Sequence, residues 1–160
     1  MQLSGDQAVK QTGGEKLLSS SDDKNNRHGA TSERFRDLHV LLIEDESLVR
    51  LAVADMLESL GATVEEAASA NEARERLELV RFGLVITDLH MPGKGGDKLA
   101  LEIAEMWPEL PVLIITGSGP HAHEARGLPC LGKPFVTADL AAAMQVVLAR
   151  RLSGGADSPG

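Results

Sequence analysis

Gly83-Leu84-Val85-Ile86-Thr87-Asp88-Leu89-His90-Met91-Pro92-Gly93 is the stretch on which the fold turns. Leu84, Val85 and Ile86 make a short, β-branched-rich apolar run, the pattern of a strand buried on both faces. The run stops on a carboxylate, Asp88, and Pro92-Gly93 then turn the chain away. Desolvation penalises a charge at the end of a buried strand. Asp88 is therefore badly placed for stability, and well placed only if the strand ends open into a crevice that holds a cation. In open α/β sheets that crevice is where ligands bind.

Working outward, His39-Val40-Leu41-Leu42-Ile43 is a second buried-strand run, and it ends on Glu44-Asp45. If the two strands are parallel neighbours, Glu44, Asp45 and Asp88 converge at one edge. Three like charges at that spacing must take up a proton or hold a metal ion. Hard oxygen ligands favour magnesium. Pro111-Val112-Leu113-Ile114-Ile115 is a third apolar strand, ending on the hydroxyl of Thr116, and Leu131-Gly132-Lys133-Pro134 adds one lysine. A metal, an ammonium and a hydroxyl around a carboxylate nucleophile are the parts that phosphoryl transfer needs.

The ordered set Glu44-Asp45, Asp88, Thr116 and Lys133-Pro134 resembles the receiver domain of bacterial two-component response regulators, over about residues 38–150. The resemblance implies that Asp88 accepts a phosphoryl group and that Thr116 and Lys133 contact it. It also implies Mg2+ held by Glu44, Asp45, Asp88 and the main-chain carbonyl of His90, and a cis Lys133-Pro134 bond. The expected donor is a histidine kinase or a histidine phosphotransfer protein. The chain would then be no enzyme toward external substrates, catalysing only its own phosphorylation and dephosphorylation.

The expected fold is α/β and flavodoxin-like: a three-layer sandwich around a five-stranded parallel sheet of order 2-1-3-4-5, with right-handed crossovers. A chemotaxis receiver is the standing example of this strand order. The fourth helix is expected to be shortened or missing. Residues 117–129 are fewer than the family allots, and Gly and Pro recur among them, so a stub or no helix is expected around His121–Arg126. Cys130 stands where the family usually has an aromatic residue coupled to the switching hydroxyl. Such a short interval resembles stand-alone receivers similar to those of hybrid sensor kinases.

Composition narrows the rest. With Phe 3, Trp 1 and Tyr 0 the core must be aliphatic. The net charge of −8 falls entirely on residues 39–160, which argues against sequence-independent binding to nucleic acid or to anionic membranes. A lone cysteine, Cys130, excludes an internal disulfide and fits a reducing compartment. No apolar run approaches membrane-spanning length, and no signal-peptide pattern opens the chain, so a cytoplasmic location is expected. Residues 1–37 are polar and aperiodic and read as a disordered tail, 38–151 as the receiver, and 152–160 as a flexible tail. No output domain fits on either side, so the signal would leave by contact with a downstream protein, or the chain would act as a phosphate shuttle or sink.

Helices are expected from a Ser47 cap to about Leu60 with Gly61 as the stop, from Asn71 to about Arg81, from about Asp97 to Trp107, and from Thr137 or Asp139 to about Arg151. Val49, Val53, Met56, Leu57, Leu60, Ala73, Leu77, Val80, Leu99, Ile103 and Met106 are read as inward-facing. Leu48 and Leu51 lie off the stripe. His121 and His123, with no third ligand nearby, read as solvated. Two other readings compete: a magnesium-dependent hydrolase, disfavoured because His90 stands where a second acid is wanted, and a degenerate receiver acting as a phosphorylation-independent binding module.

Overall fold

A computed structural model describes residues 34–92, 96–117 and 127–153, with side chains described to Arg150. Five parallel strands, β1 (His39–Ile43), β2 (Thr63–Ala67), β3 (Leu84–Asp88), β4 (Val112–Thr116) and β5 (Cys130–Gly132), form one sheet in the order β2-β1-β3-β4-β5. Among the described residues there are four helices: α1 (Ser47–Ser59), α2 (Ala70–Leu79), α3 (Gly96–Met106) and α4 (Thr137–Ser153). This is the expected flavodoxin-like sandwich. The described residues between β4 and β5 are not helical; the expected stub around His121–Arg126 lies outside the described residues, as do His121 and His123 themselves.

The alternation of side chains along the strands builds two aliphatic cores. Val40, Leu42, Leu84, Ile86, Leu113 and Ile115 pack against Val53 and Leu57 of α1 and Leu140 and Met144 of α4. Leu41, Ile43, Val85 and Ile114 point the other way, against Ala73 and Leu77 of α2 and Leu99 and Ile103 of α3. Ile103 is fully buried. Truncating it to alanine is expected to cost about 2–5 kcal/mol, because an aliphatic core this tightly enclosed cannot collapse onto the void. Urea denaturation at unchanged m-value checks it.

Several local expectations change in the structure. Ser47 is the first residue of α1 rather than its cap; Glu46 takes the cap position without a side-chain cap bond, and its N–H donates to Glu44 Oε1 at 3.1 Å. The first helical bond, from the Arg50 N–H to the Glu46 carbonyl at 2.9 Å, starts the helix one residue earlier than a Ser47 cap would. At the other end, Gly61 does supply the left-handed turn, at φ 94°. α2 is capped by the Ser69 side chain, which accepts from the Glu72 N–H, and ends at Leu79, so Val80 is extended and half-buried rather than on a helical face.

Met106 was expected inward but is 60% exposed. It is the last residue of α3, and the chain reverses directly after it, so the partly buried Trp107 packs on the core there instead. The charged face of α2 links to its neighbours: Arg74 forms a two-pronged pair with Glu102 of α3, and Arg76 meets Glu65 of β2. Phe35 is buried against the α1–α4 side, so the packed unit begins before the expected boundary at residue 38. A phenyl ring three residues ahead of Leu38 gains more from that burial than it loses in ordering. Cys130 is half-buried, and its thiol donates to the Leu128 carbonyl at 3.4 Å.

Candidate phosphoacceptor site

The strand order decides which residues can meet. β1 and β3 are parallel neighbours in the register Ile43↔Thr87, so Glu44 and Asp88 emerge side by side. β4 lies on the other flank of β3, with Asp88↔Ile115 and the buried Thr116 one residue further. β5 pairs Thr116↔Gly132, and Lys133 follows immediately, its N–H donating to the Thr116 carbonyl at 2.7 Å. The Lys133-Pro134 peptide bond is cis, as expected.

One carboxylate oxygen from each of Glu44, Asp45 and Asp88 lies within 4.8 Å of the others. Glu44 and Asp88 are buried, while Asp45 is exposed at the rim. The Lys133 ammonium donates to Glu44 Oε2 at 3.0 Å and lies 3.5 Å from Asp88 Oδ1. His90 is exposed at the mouth. All six residues singled out in the sequence thus come from the carboxyl ends of four strands to one edge of the sheet. The donor set fits a magnesium ion: three carboxylates in a small cluster, one of them open to water.

Burial pushes the Glu44 carboxyl above its ordinary range, and nearby Asp88 adds to this; the Lys133 and Glu46 hydrogen bonds offset part of it. For Lys133, burial acts downward, but the Glu44 hydrogen bond and the charges of Asp88 and Glu44 outweigh it, and its pKa is raised. A carboxyl whose folded pKa is raised contributes stability that is fully present below the unfolded value and is lost as pH rises through the folded one. Glu44→Gln, which cannot ionise, is therefore expected to gain on the wild type as pH climbs from about 4.5 toward neutral in magnesium-free buffer. Paired urea titrations across that window check it, and a gap that does not widen contradicts it. The Lys133 contribution is lost only above the ordinary lysine range, so it leaves this window untouched.

Arg50, on α1, escaped the sequence reading. Its Nη1 donates to the Glu44 carbonyl at 2.8 Å and approaches that of Asp45 at 3.5 Å, and its Nε donates to Glu66 Oε2 at 3.0 Å. The signal available was an arginine one helical turn into α1, directly behind the acid pair. Glu66 pairs with Leu42 in the β1–β2 register, which brings it within reach. At the opposite end of β1 the His39 ring meets Phe82, and Nε2 lies 3.2 Å from Glu65 Oε1.

Comparison with known proteins shows the family. Residues 40–145 match the model of the response regulator receiver domain. The chain is 34% identical over 106 residues to the response regulator receiver protein CpdR of Brucella abortus, covering 63% of this chain and 88% of that protein. It is 36% identical over 112 residues to the C4-dicarboxylate transport transcriptional regulatory protein DctD of Rhizobium meliloti, covering 70% of this chain. There it spans about a quarter of the relative's length, and in the sensor kinase CckA of Brucella abortus 13%. A receiver domain protein from Clostridium thermocellum superposes with a TM-score of 0.65 at 29% identity, covering 72% of this chain and 98% of that one. The Vibrio cholerae chemotaxis protein CheY4 gives 0.63 at 28%, covering 69% and 98%. Fold, site order and relatives converge, and the chain belongs to the response regulator receiver domain family of two-component systems.

Proposed function

We propose that this receiver accepts a phosphoryl group from a phosphohistidine onto Asp88. The observation that supports this reading is the meeting of Asp88 with Glu44, Asp45 and Lys133 at one strand edge. An Asp88 oxygen forms the new bond to phosphorus while the P–N bond to the donor imidazole breaks, and the leaving nitrogen keeps the electron pair. Lys133 offsets charge on the transferring group, and the Thr116 hydroxyl donates to one of its oxygens. Glu44, Asp45, Asp88 and the His90 carbonyl would hold Mg2+, which when bound supplies charge neutralisation at the phosphoryl oxygens. Asp45 and His90, both exposed, set how water and donor approach.

The receiver unit spans residues 38–151, extended at its start by Phe35. Leu48 and Leu51, 76% and 64% exposed on α1, offer an apolar contact for the phosphodonor beside the acidic edge. The phosphorylated form signals by contact with a downstream protein, or passes the group on as a shuttle or sink; the 88% span of CpdR, named as a receiver protein, supports this. No helix of the described residues is long and apolar enough to cross a membrane. A phosphotransfer profile decides the proposal. Radiolabel moving from a phosphorylated histidine kinase or phosphotransfer protein to this chain, and not to Asp88→Asn, is the expected result. No transfer from any donor of the same organism would leave a phosphorylation-independent binding module.

A further inference from the structure

We propose that Arg50 is a positioning residue for the carboxylate cluster. By holding the main-chain carbonyls behind Glu44 and Asp45, and being held itself by Glu66 on the edge strand, it sets the turn from which those two side chains reach Asp88. The inference rests on the site being a magnesium-dependent phosphoacceptor, and it adds a part that lies outside the metal and phosphoryl contacts.

The hydrogen-bond inventory leads to it. β1 pairs through Ile43, and the Glu44 N–H still reaches the Ala67 carbonyl at 3.1 Å. The Glu44 carbonyl, in a residue only 3% exposed, has then left the sheet ladder. A buried carbonyl must find a donor, and the Arg50 Nη1 is that donor at 2.8 Å. The same nitrogen approaches the Asp45 carbonyl at 3.5 Å, so one planar group spans both peptide units of the acid pair. The Arg50 side chain is 19% exposed, and its Nε bond to Glu66 fixes the plane of the guanidinium. Arginine suits this task because its donors lie in a rigid fork, which a lysine ammonium cannot reproduce. The arrangement also turns the cation away from the carboxylates: Arg50 contacts their backbone and pairs its charge with Glu66, so Lys133 is left to face the acids.

Simple electrostatics and positioning predict opposite signs. Deleting a cation beside three carboxylates should tighten divalent-ion binding if charge alone matters. If Arg50 sets the turn, its removal should weaken binding, as loss of partners that orient metal ligands does by about 10–100-fold.

The test uses the full chain and its Arg50→Met, Arg50→Lys and Glu66→Gln variants. Each is measured for Mg2+ affinity by calorimetry, for metal-free thermal unfolding, and for phosphorylation by acetyl phosphate across a magnesium series. Arg50→Met is expected to lose about 10-fold or more in Mg2+ affinity, Arg50→Lys to recover part of that loss, and Glu66→Gln to lose less than Arg50→Met. At saturating magnesium the labelling rate of Arg50→Met is expected to return to within about twofold of wild type, a split that general loosening of the fold would not give. Unchanged or tighter Mg2+ binding in Arg50→Met, full wild-type affinity in Arg50→Lys, or a rate that magnesium does not restore overturns the proposal. Should Arg50→Met not unfold cooperatively, wild-type affinity in both other variants overturns it equally. A wild-type chain that neither binds Mg2+ nor takes label sinks the site reading itself, and that result is visible before any variant is compared.

Discussion

Asp88→Asn is expected to take up no phosphoryl group. The substitution keeps the shape of the side chain and replaces a carboxylate oxygen by an amide nitrogen whose lone pair is delocalised. Nucleophilic attack on phosphorus then has no competent atom, and labelling by acetyl phosphate should fall by more than about 10³-fold. The variant should still fold. Asp88 is 6% exposed at the end of β3, its backbone is paired with Ile115, and an amide of the same size disturbs neither. Cooperative urea unfolding with an unchanged m-value, beside lost labelling, separates chemistry from stability. Residual labelling at a tenth of the wild-type rate would mean that another residue accepts the group.

Gly96→Ala is expected to damage fold and site together. Gly96 opens α3, and a Cβ built there overlaps the main-chain carbonyl of Asp88 and crowds the Leu89 Cα. Backbone, not a flexible side chain, is what the methyl group meets, so relief requires moving either the start of α3 or the end of β3. The Gly96 N–H also donates to the Leu89 carbonyl at 2.9 Å, a bond that this movement lengthens. Overpacking of this kind costs about 1–3 kcal/mol, and more when backbone must shift. Because the strand end carries Asp88, phosphorylation should slow even in the fraction that remains folded. Denaturation and labelling rate, measured on one preparation, check both halves. Wild-type values in both would mean that the approach of α3 to Asp88 is looser than the structure has it.

Much of this was legible in the sequence because the informative residues sit where local pattern and global position coincide. Uninterrupted apolar runs at residues 40–43, 84–86 and 112–115 can be satisfied only by strands covered on both faces, and each is followed at once by a polar residue. Parallel pairing then forces those ends to one edge. The edge strand Thr63–Ala67 carries two glutamates and only a weak apolar alternation, which suits a partner on one side alone.

What pattern could not give depends on contacts between distant segments. Arg50 sits on the flank of α1, and its role needs Glu66 sixteen residues away. Arg74 meets Glu102 across two helices, a link that the sequence of neither helix alone announces. Met106 shares the helical phase of Leu99 and Ile103, yet α3 ends at that residue, and periodicity does not say where the core stops. Phe35 lies in a polar stretch without periodicity, so its burial is visible only once α1 and α4 are in place.

Intact-mass analysis of the full chain after incubation with acetyl phosphate, with magnesium and with chelator, puts the acidic edge to the test. The expected result is one phosphoryl group per chain, formed only with magnesium and mapping to the peptide that contains Asp88. A chain that stays unlabelled with magnesium present, or that carries the group on another residue, would contradict it.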